Sequence, residues 1–391
     1  MLMSMILIIF NLPLRQRLTG NAYSLMESCM KSLFSPRAGA LTLAILAALT
    51  LSACQAPARN EAPAAAATAK PGNANLTQRE LGEGLYEMAY APAANALFVA
   101  SAQGFNAVNG GVIYRLDPTT LATKGVTHTD LKNFGMAADS SGEHFYATNT
   151  LDGGVSKVDV QSGKVLQRLM FAGKDKDGDP VGAREVLFHN DELFVGGVAD
   201  PGFISVVNAK NMTLKKRIPN AGKWVTGIIY SSLTDRVYAA NGGGEILVIN
   251  PHTHHIEKRL SPGDGKEYLF LNLAEDPATG RLFVTDDSKA KVTLVFDERS
   301  GKVIKRLDGD ALGIKFNPAR NEIYISQRES KKVLQLDAAS YAVKQSWAFD
   351  SHPNSLLVSP DGRVLYVTLK QDFNKDNSTK GPDSVVRIAL P

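Results

Sequence analysis

Beyond Cys54 the chain contains no cysteine; its two, Cys29 and Cys54, both stand near the N-terminus. Disulfides, thiolate metal sites and a cysteine nucleophile are therefore excluded from everything that follows. That economy suits an oxidising envelope compartment, where stray thiols are liabilities. Net charge is also scarce. The formal +4 is mostly a leader effect, since Arg15, Arg17, Lys31 and Arg37 against Glu27 contribute +3 and leave +1 for the rest. A polyanionic partner would have to be held by a local patch, because no global field exists to attract it. A comfortable membrane span is missing too. Residues 41–53 carry no charge, but at ~1.5 Å per residue they fall short of a ~30 Å hydrocarbon core.

What that apolar stretch does have is the right neighbours. Upstream lies MKSLFSPR, with Lys31 and Arg37 after Met30, and downstream it ends on Leu51, Ser52, Ala53 and Cys54. Positive segment, apolar segment and small residues before a cut make a secretory signal. The four final residues match the bacterial lipobox, which predicts a lipid on Cys54; Gln55 in the next position resembles an outer-membrane lipoprotein. Simple cleavage near Ala53 and a retained anchor are the alternatives. Residues 1–29 are then an upstream extension before a start at Met30, and 30–53 are the lipoprotein signal. Residues 54–75, Ala- and Pro-rich without apolar period, form a flexible tether. The expected location is the periplasmic side of the outer membrane, anchored by lipid only.

From residue 76 to the end the chain repeats itself. ALFVAS, HFYATNT, ELFVGGV, RVYAAN, RLFVTDD, EIYISQ and VLYVTLK begin at Ala96, His144, Glu192, Arg236, Arg281, Glu322 and Val364, 41 to 48 residues apart. An apolar strand and a turn precede each, and an alternating strand and hairpin follow most, as in GVSKVDVQSGKV. Four strands at this spacing are one propeller blade, so the fold class is all-β, a seven-bladed β-propeller. The last blade offers only three strands, near 354–358, 364–369 and 384–390. NLTQRELGEGLYEMAY has the layout of KVIKRLDGDALGIKF, so residues 76–81 are predicted to supply the fourth strand and close the ring.

VYAAN, LFVTDD and LYVTLK resemble repeats of the YVTN family of seven-bladed propellers. GLYEMAYAPAANALFVAS, GGVIYRLDPTTL, FNPARNE and SHPNSLLVSPDGR bring the chain nearer to a periplasmic bacterial member. The resemblance runs from about Leu76 to the C-terminus, and the lipobox and tether depart from it. It implies a single-stranded DNA partner.

In such a ring the links between blades and the turns joining second and third strands share the face around the channel mouth. The links supply Tyr86, Glu87, Lys132, Phe134, Arg184 and Glu185, then Lys223, Trp224, Lys266, Tyr268, His352 and Asn354. The turns add Phe105, Asn109, Asn149, Asn241, Asp286, Lys289, Arg328 and Lys370. Cations between aromatics suit single-stranded nucleic acid, where stacking one base on a ring is worth roughly 1–3 kcal/mol. By resemblance the phosphate-facing cations are Arg184, Lys223, Lys266 and Lys370. Loop lysines are also ordinary solvated decoration, and Phe105 or Trp224 can equally be blade packing.

Other patterns are weaker. Asp175, Asp177 and Asp179 alternate like the start of an EF-hand, but Pro180 stands where the glycine belongs and Val186 where the acidic ligand belongs. His252, His254 and His255 fall in a third-to-fourth strand hairpin, expected on the opposite face, exposed and without acidic company. G-x-S-x-G, H-E-x-x-H and P-loop patterns are missing. With two tryptophans, so are the Trp-rich repeats of quinone-cofactor propellers. The expectation is a monomeric, non-enzymatic binding protein with no cofactor and no metal. A lactonase- or lyase-like enzyme would instead need Glu87, Glu185 and His352 to meet at the channel, and a docking scaffold for envelope proteins is the third reading.

Overall fold

The computed structural model describes residues 75–104, 110–174, 178, 180–375 and 378–391. The leader, Cys54, nearly all of the tether, Phe105, Asn109, Asp175, Asp177 and Asp179 lie outside these residues. Each repeat folds into one antiparallel four-stranded sheet, and the described residues form seven of them. Blades 1 to 6 span residues 85–129, 136–170, 182–218, 225–260, 270–308 and 314–348. The first strand of every blade touches the first strands of both neighbours, blade 7 meeting blade 1, so the ring is closed around a central channel.

Closure uses the N-terminal strand. Leu76–Gly82 pairs antiparallel with Asp383–Ala389, Leu76 opposite Ile388, and lies outermost in blade 7 beyond Val364–Lys370 and His352–Val358. A terminal strand stitched into the last sheet ties the two ends of the ring together and leaves no unpaired blade edge at the seam.

The physics of the repeat is visible in its second strand, which is buried on both faces because each blade is sandwiched between two others. Such strands read as unbroken apolar runs. One aromatic recurs at the same place: Phe98, Tyr146, Phe194, Tyr238, Phe283, Tyr324 and Tyr366, all fully buried. Rings of that size dominate the packing between blades. Two residues on, a hydroxyl reaches into the next blade. Thr148 donates to the Arg184 carbonyl (2.8 Å), Thr285 to Leu312 (2.7 Å) and Ser326 to Asn354 (2.8 Å). Blade 4 has Ala240 at this position, and there Thr226 of the first strand donates to the Phe270 carbonyl instead (2.8 Å).

The turns between third and fourth strands also follow from sequence. Asp117, Asp159, Asn208, Asn250, Asp297 and Asp337 each accept backbone N–H bonds from two or three residues ahead, the Asx-turn chemistry these residue types favour. Outermost strands such as Thr213–Ile218 are largely exposed and carry Lys215, Lys216 and Arg217, cations that discourage edge-to-edge pairing. No helix among the described residues is long and apolar enough to cross a membrane.

Candidate functional site at the channel

Where the first strand of a blade lines the channel, its pairing with the second strand slips. The register breaks between Leu85 and Met88, Ala183 and Val186, Val225 and Gly227, Phe270 and Leu273, and Pro353 and Leu356. A bulge of this kind re-aims side chains, and here it spans the residue pairs Tyr86–Glu87, Arg184–Glu185, Leu271–Asn272 and Asn354–Ser355. At the level of Glu87 and Glu185, blades 2, 4 and 6 carry Gly135, Gly227 and Gly313, and blades 5 and 7 carry Asn272 and Ser355. A Cβ on any of the three glycines would stand 2.5–2.7 Å from a carbonyl oxygen of the next blade. Close approach of neighbouring strands therefore forces glycine in these three blades and leaves side chains at this level to the other four.

The bulges bring Glu87, Arg184 and Glu185 together. Arg184 Nη2 stands 4.0 Å from Glu87 Oε1, and Nη1 stands 3.8 Å from Glu185 Oε2. These are ion-pair distances beyond hydrogen-bond reach. Arg184 Nη1 and Glu185 Oε2 are both shut off from solvent without a hydrogen-bond partner. The three side chains keep 11–15% of their surface, enough to place them on the channel wall and not inside a blade. Ser355 donates to Glu87 Oε1 at 3.2 Å across the seam between blades 7 and 1. Burial pushes the Glu185 carboxyl up to about 8; Glu87 adds to the rise, and Arg184 and Lys315 oppose it.

Lys315 was missed by sequence reasoning, although a signal existed. It occupies the first-strand position filled in other blades by Ala89, Ala137, Leu187, Ile229, Ala274 and Leu357. A lone cation at an otherwise apolar repeat position marks a special environment.

Nearer the mouth, a second group is bound inward. Lys370, almost wholly buried, is 3.2 Å from Asp383 Oδ2, donates to the Leu85 carbonyl at 2.9 Å and lies 4.2 Å from the centre of the Tyr86 ring. Burial lowers its pKa, against the pull of Asp383. Arg328 is buried as well; burial drives it down to about 10, with Tyr86, Asp287, Asp383 and Asp372 opposing. Its Nη1 meets Asn354 Oδ1 at 3.5 Å. Lys132 gives its ammonium to the carbonyls of Ala102 and Gly104, both at 2.7 Å, and so braces the neighbouring turn.

The aromatic candidates are in the wall and not on it. Tyr86 and Phe134 pack ring to ring at 4.5 Å, both fully buried. Trp224 and Tyr268 retain under a tenth of their surface. Lys223 covers Trp224, its ammonium 4.3 Å from the ring centre. The Tyr268 hydroxyl donates to Asp264 (2.8 Å) and accepts from Arg306 (2.7 Å). Lys266 and Lys289 are exposed. Asn149, Asn241 and Asp286 secure inter-blade links: the two amides donate to the Lys132 and Ala221 carbonyls, and Asp286 accepts from Leu269 N–H.

Two expectations need correction. His352 does not turn to Glu87 and Glu185: its Nε2 meets Asp372 Oδ1 (2.7 Å) and its Nδ1 the Arg328 carbonyl (2.9 Å). The histidine hairpin is not bare of acids. His254 is largely buried with Nε2 2.8 Å from Glu192, and His252 lies 2.9 Å from Asp235, because the bent turn folds the rings back over neighbouring strands. Among the described residues no cluster of three His, Cys, Asp or Glu is arranged to hold a metal.

Comparison with known proteins accords with this architecture. No family model matches the chain. A protein named YncE from Salmonella typhimurium is 36% identical over 322 residues, covering 81% of this chain and 91% of the relative. YncE of Escherichia coli is also 36% identical, over 321 residues with the same coverage. The Swd1 β-propeller domain of Myceliophteria thermophila superposes with a TM-score of 0.60 at 10% identity, over 80% of this chain and 98% of that one. That likeness speaks to fold alone. With identity of this order over four-fifths of its length, the chain belongs to the YncE family of seven-bladed β-propellers.

Proposed function

We propose that the protein is a non-enzymatic binding protein of the bacterial cell envelope, held there by a lipid on Cys54, and that it recognises a polar ligand at the channel. The observation supporting this is the Glu87–Arg184–Glu185 cluster: a guanidinium within ion-pair range of two carboxylates, yet hydrogen-bonded to neither. Charged donors left unused in a concave, glycine-walled channel favour a ligand that completes them. A catalytic reading is weaker, because His352, the base it would need, is engaged by Asp372 and the Arg328 carbonyl.

Single-stranded DNA, the partner the family resemblance implies, would approach the rim through Lys223 and Lys266, whereas Lys370 and Arg184 face carboxylates inside. Titration of an oligothymidylate against the protein over a range of salt tests this. The expected result is weak binding that fades as salt rises and falls further in the Lys223→Ala/Lys266→Ala double variant. Binding indifferent to salt and to both substitutions would remove the nucleic-acid version. For the anchor, metabolic lipid labelling should be lost in Cys54→Ala, and retained labelling would exclude that residue as the acceptor.

A further inference from the structure

Beyond the channel, and independently of it, we propose that the cleft between blades 5 and 6 binds an amphiphilic monocarboxylate. Its head group lies on Lys305 and Gln327 above Thr293, and its apolar body on Leu334, Leu336 and Val343.

The cleft is a cavity of about 340 Å³ lined by all six of these residues. Strand register sets them face to face. In blade 5, Thr293 pairs with Thr285, whose hydroxyl reaches blade 6, and Lys305 pairs with Val295, which packs in the core shared with blade 6. Residues directly opposite across paired strands share a face, so Thr293 and Lys305 both point at blade 6. In blade 6, Ile325 belongs to that shared core, so Gln327, two residues on, faces blade 5, as do Leu334 and Leu336. Val343 pairs with Leu336 and is 56% exposed.

Three repeat positions change their use here. The place of Thr293 is filled in the other blades by Ile113, Val155, Ile204, Ile246, Val333 and Val385. Its hydroxyl, in a residue only 1% exposed, takes no hydrogen-bond partner among the described residues. Lys305 matches Lys216 and Lys258, which donate to the Thr253 and Ser300 carbonyls in the turn of the next blade. In blade 6 that turn is held by Arg281, through the Ala338 carbonyl and the Tyr341 hydroxyl. The Lys305 ammonium has no partner among the described residues. Gln327 closes its strand where Asn149, Asn241 and Asp286 close theirs, and those three hold inter-blade links. The Gln327 amide holds none; it lies against Gly309, where a Cβ would stand 2.5 Å from its Nε2.

An ammonium, an amide and a buried hydroxyl, all unpaired beside an open cavity, favour a ligand that accepts from them. Thr293 and Lys305 are diagonal neighbours across paired strands, roughly 7–8 Å apart, a span within reach of a long side chain. With Arg306 tied to Asp264 and Tyr268, the one ammonium selects a single negative charge. Asp308, the other charged residue of the lining, pairs with Val292, whose core is the one shared with blade 4, and so lies on the face turned away from blade 6. Along the cleft from these donors the lining passes to Leu336, Ala342 and Val343. Donors at one end and apolar groups toward the other match a carboxylate with an apolar chain.

The test titrates octanoate into the whole protein by calorimetry, with hexanoate, octanol and octylammonium as comparators. Octanoate should bind, hexanoate about tenfold more weakly for its two missing methylenes, and octanol and octylammonium more weakly than octanoate. Lys305→Met should weaken octanoate about tenfold and leave octanol unchanged. Thr293→Val, which installs the residue type of the other blades, should weaken octanoate about fivefold. Lys258→Met, the matching lysine of blade 4, should change nothing. Thermal unfolding beside each variant shows that it is folded. Octanol or octylammonium bound as tightly as octanoate would overturn the head group, and hexanoate bound as tightly would overturn the apolar body. Equal weakening by Lys258→Met and Lys305→Met would mean general charge attraction and overturn the site. Octanoate that fails to bind, or that ignores Lys305→Met and Thr293→Val alike, would also overturn it. The oligothymidylate titration, which reads the channel face, is untouched by any of these outcomes.

Discussion

Two pairs of buried carboxyls sit in different parts of the ring and have been stabilised in different ways. Glu87 and Glu185 face the channel with Arg184 between them and partial access to solvent. Glu275 and Glu298 lie between blades 4 and 5, where the Ser231 hydroxyl donates to Glu275 at 2.6 Å with Glu298 Oε2 3.2 Å away, and Tyr238 donates to Glu298 at 3.4 Å. Burial, and after it the neighbouring Glu275, pushes the Glu298 carboxyl up to about 7. Neutral hydroxyls hold that pair, although Glu298 Oε1, like Glu185 Oε2, is buried without a hydrogen-bond partner. The channel pair instead has a guanidinium between its members, and its side chains keep part of their surface in the channel.

The largest test of this contrast is Arg184→Met. Removing the cation takes away the guanidinium that stands between the two carboxyls, and stability near neutral pH should fall by about 3–5 kcal/mol in chemical denaturation. The loss should shrink as pH falls and Glu185 holds its proton. An equal loss at every pH would mean that Arg184 acts by packing alone.

Glu298→Gln tests the other pair. A carboxyl whose folded pKa is raised binds more protons folded than unfolded between its ordinary value and about 7, so the parent loses stability as pH climbs through that window. Glutamine can keep the hydrogen bond without ionising. The variant should gain on the order of 2–3 kcal/mol above about pH 8 and show a flatter pH–stability curve. Parallel curves would refute the raised Glu298 carboxyl. Glu185→Gln should move in the same direction by less, since its side chain is partly solvated.

Smaller effects separate ring from rim. Thr285→Val removes the hydroxyl that reaches the Leu312 carbonyl and accepts from the Asn272 N–H, and should cost about 1–2 kcal/mol by taking away that N–H's acceptor. Lys223→Ala, which strips only the cation over Trp224, should change stability by about 0.5–1 kcal/mol at most. A rim substitution more damaging than the Thr285 change would put the structural weight of this face in the wrong place.

Legibility followed the same division. The seven aromatic-centred strands, their turns and the N-terminal strand of blade 7 were all readable, because each is a local pattern repeated at fixed spacing. The structure moves the expected strand ends by a residue or two, as with Leu76–Gly82 and Asp383–Ala389. Arg184 and Glu185 could be picked from their link, but nothing in the sequence placed Glu87 across the guanidinium or turned His352 toward Asp372. Lys370 and Arg328 looked like solvated loop cations and are instead buried, Lys370 beside Asp383 from the adjacent strand.

The sequence by itself determined the number of blades, the strand order within each and the way the ring is sealed, since alternation, turn chemistry and period are properties of short segments. Tertiary structure alone decided which charges remain for a ligand. The approach of Glu87 to Arg184 depends on bulges and on the curvature that brings blades 1 and 3 to one axis, and neither leaves a trace in the order of residues along any single blade.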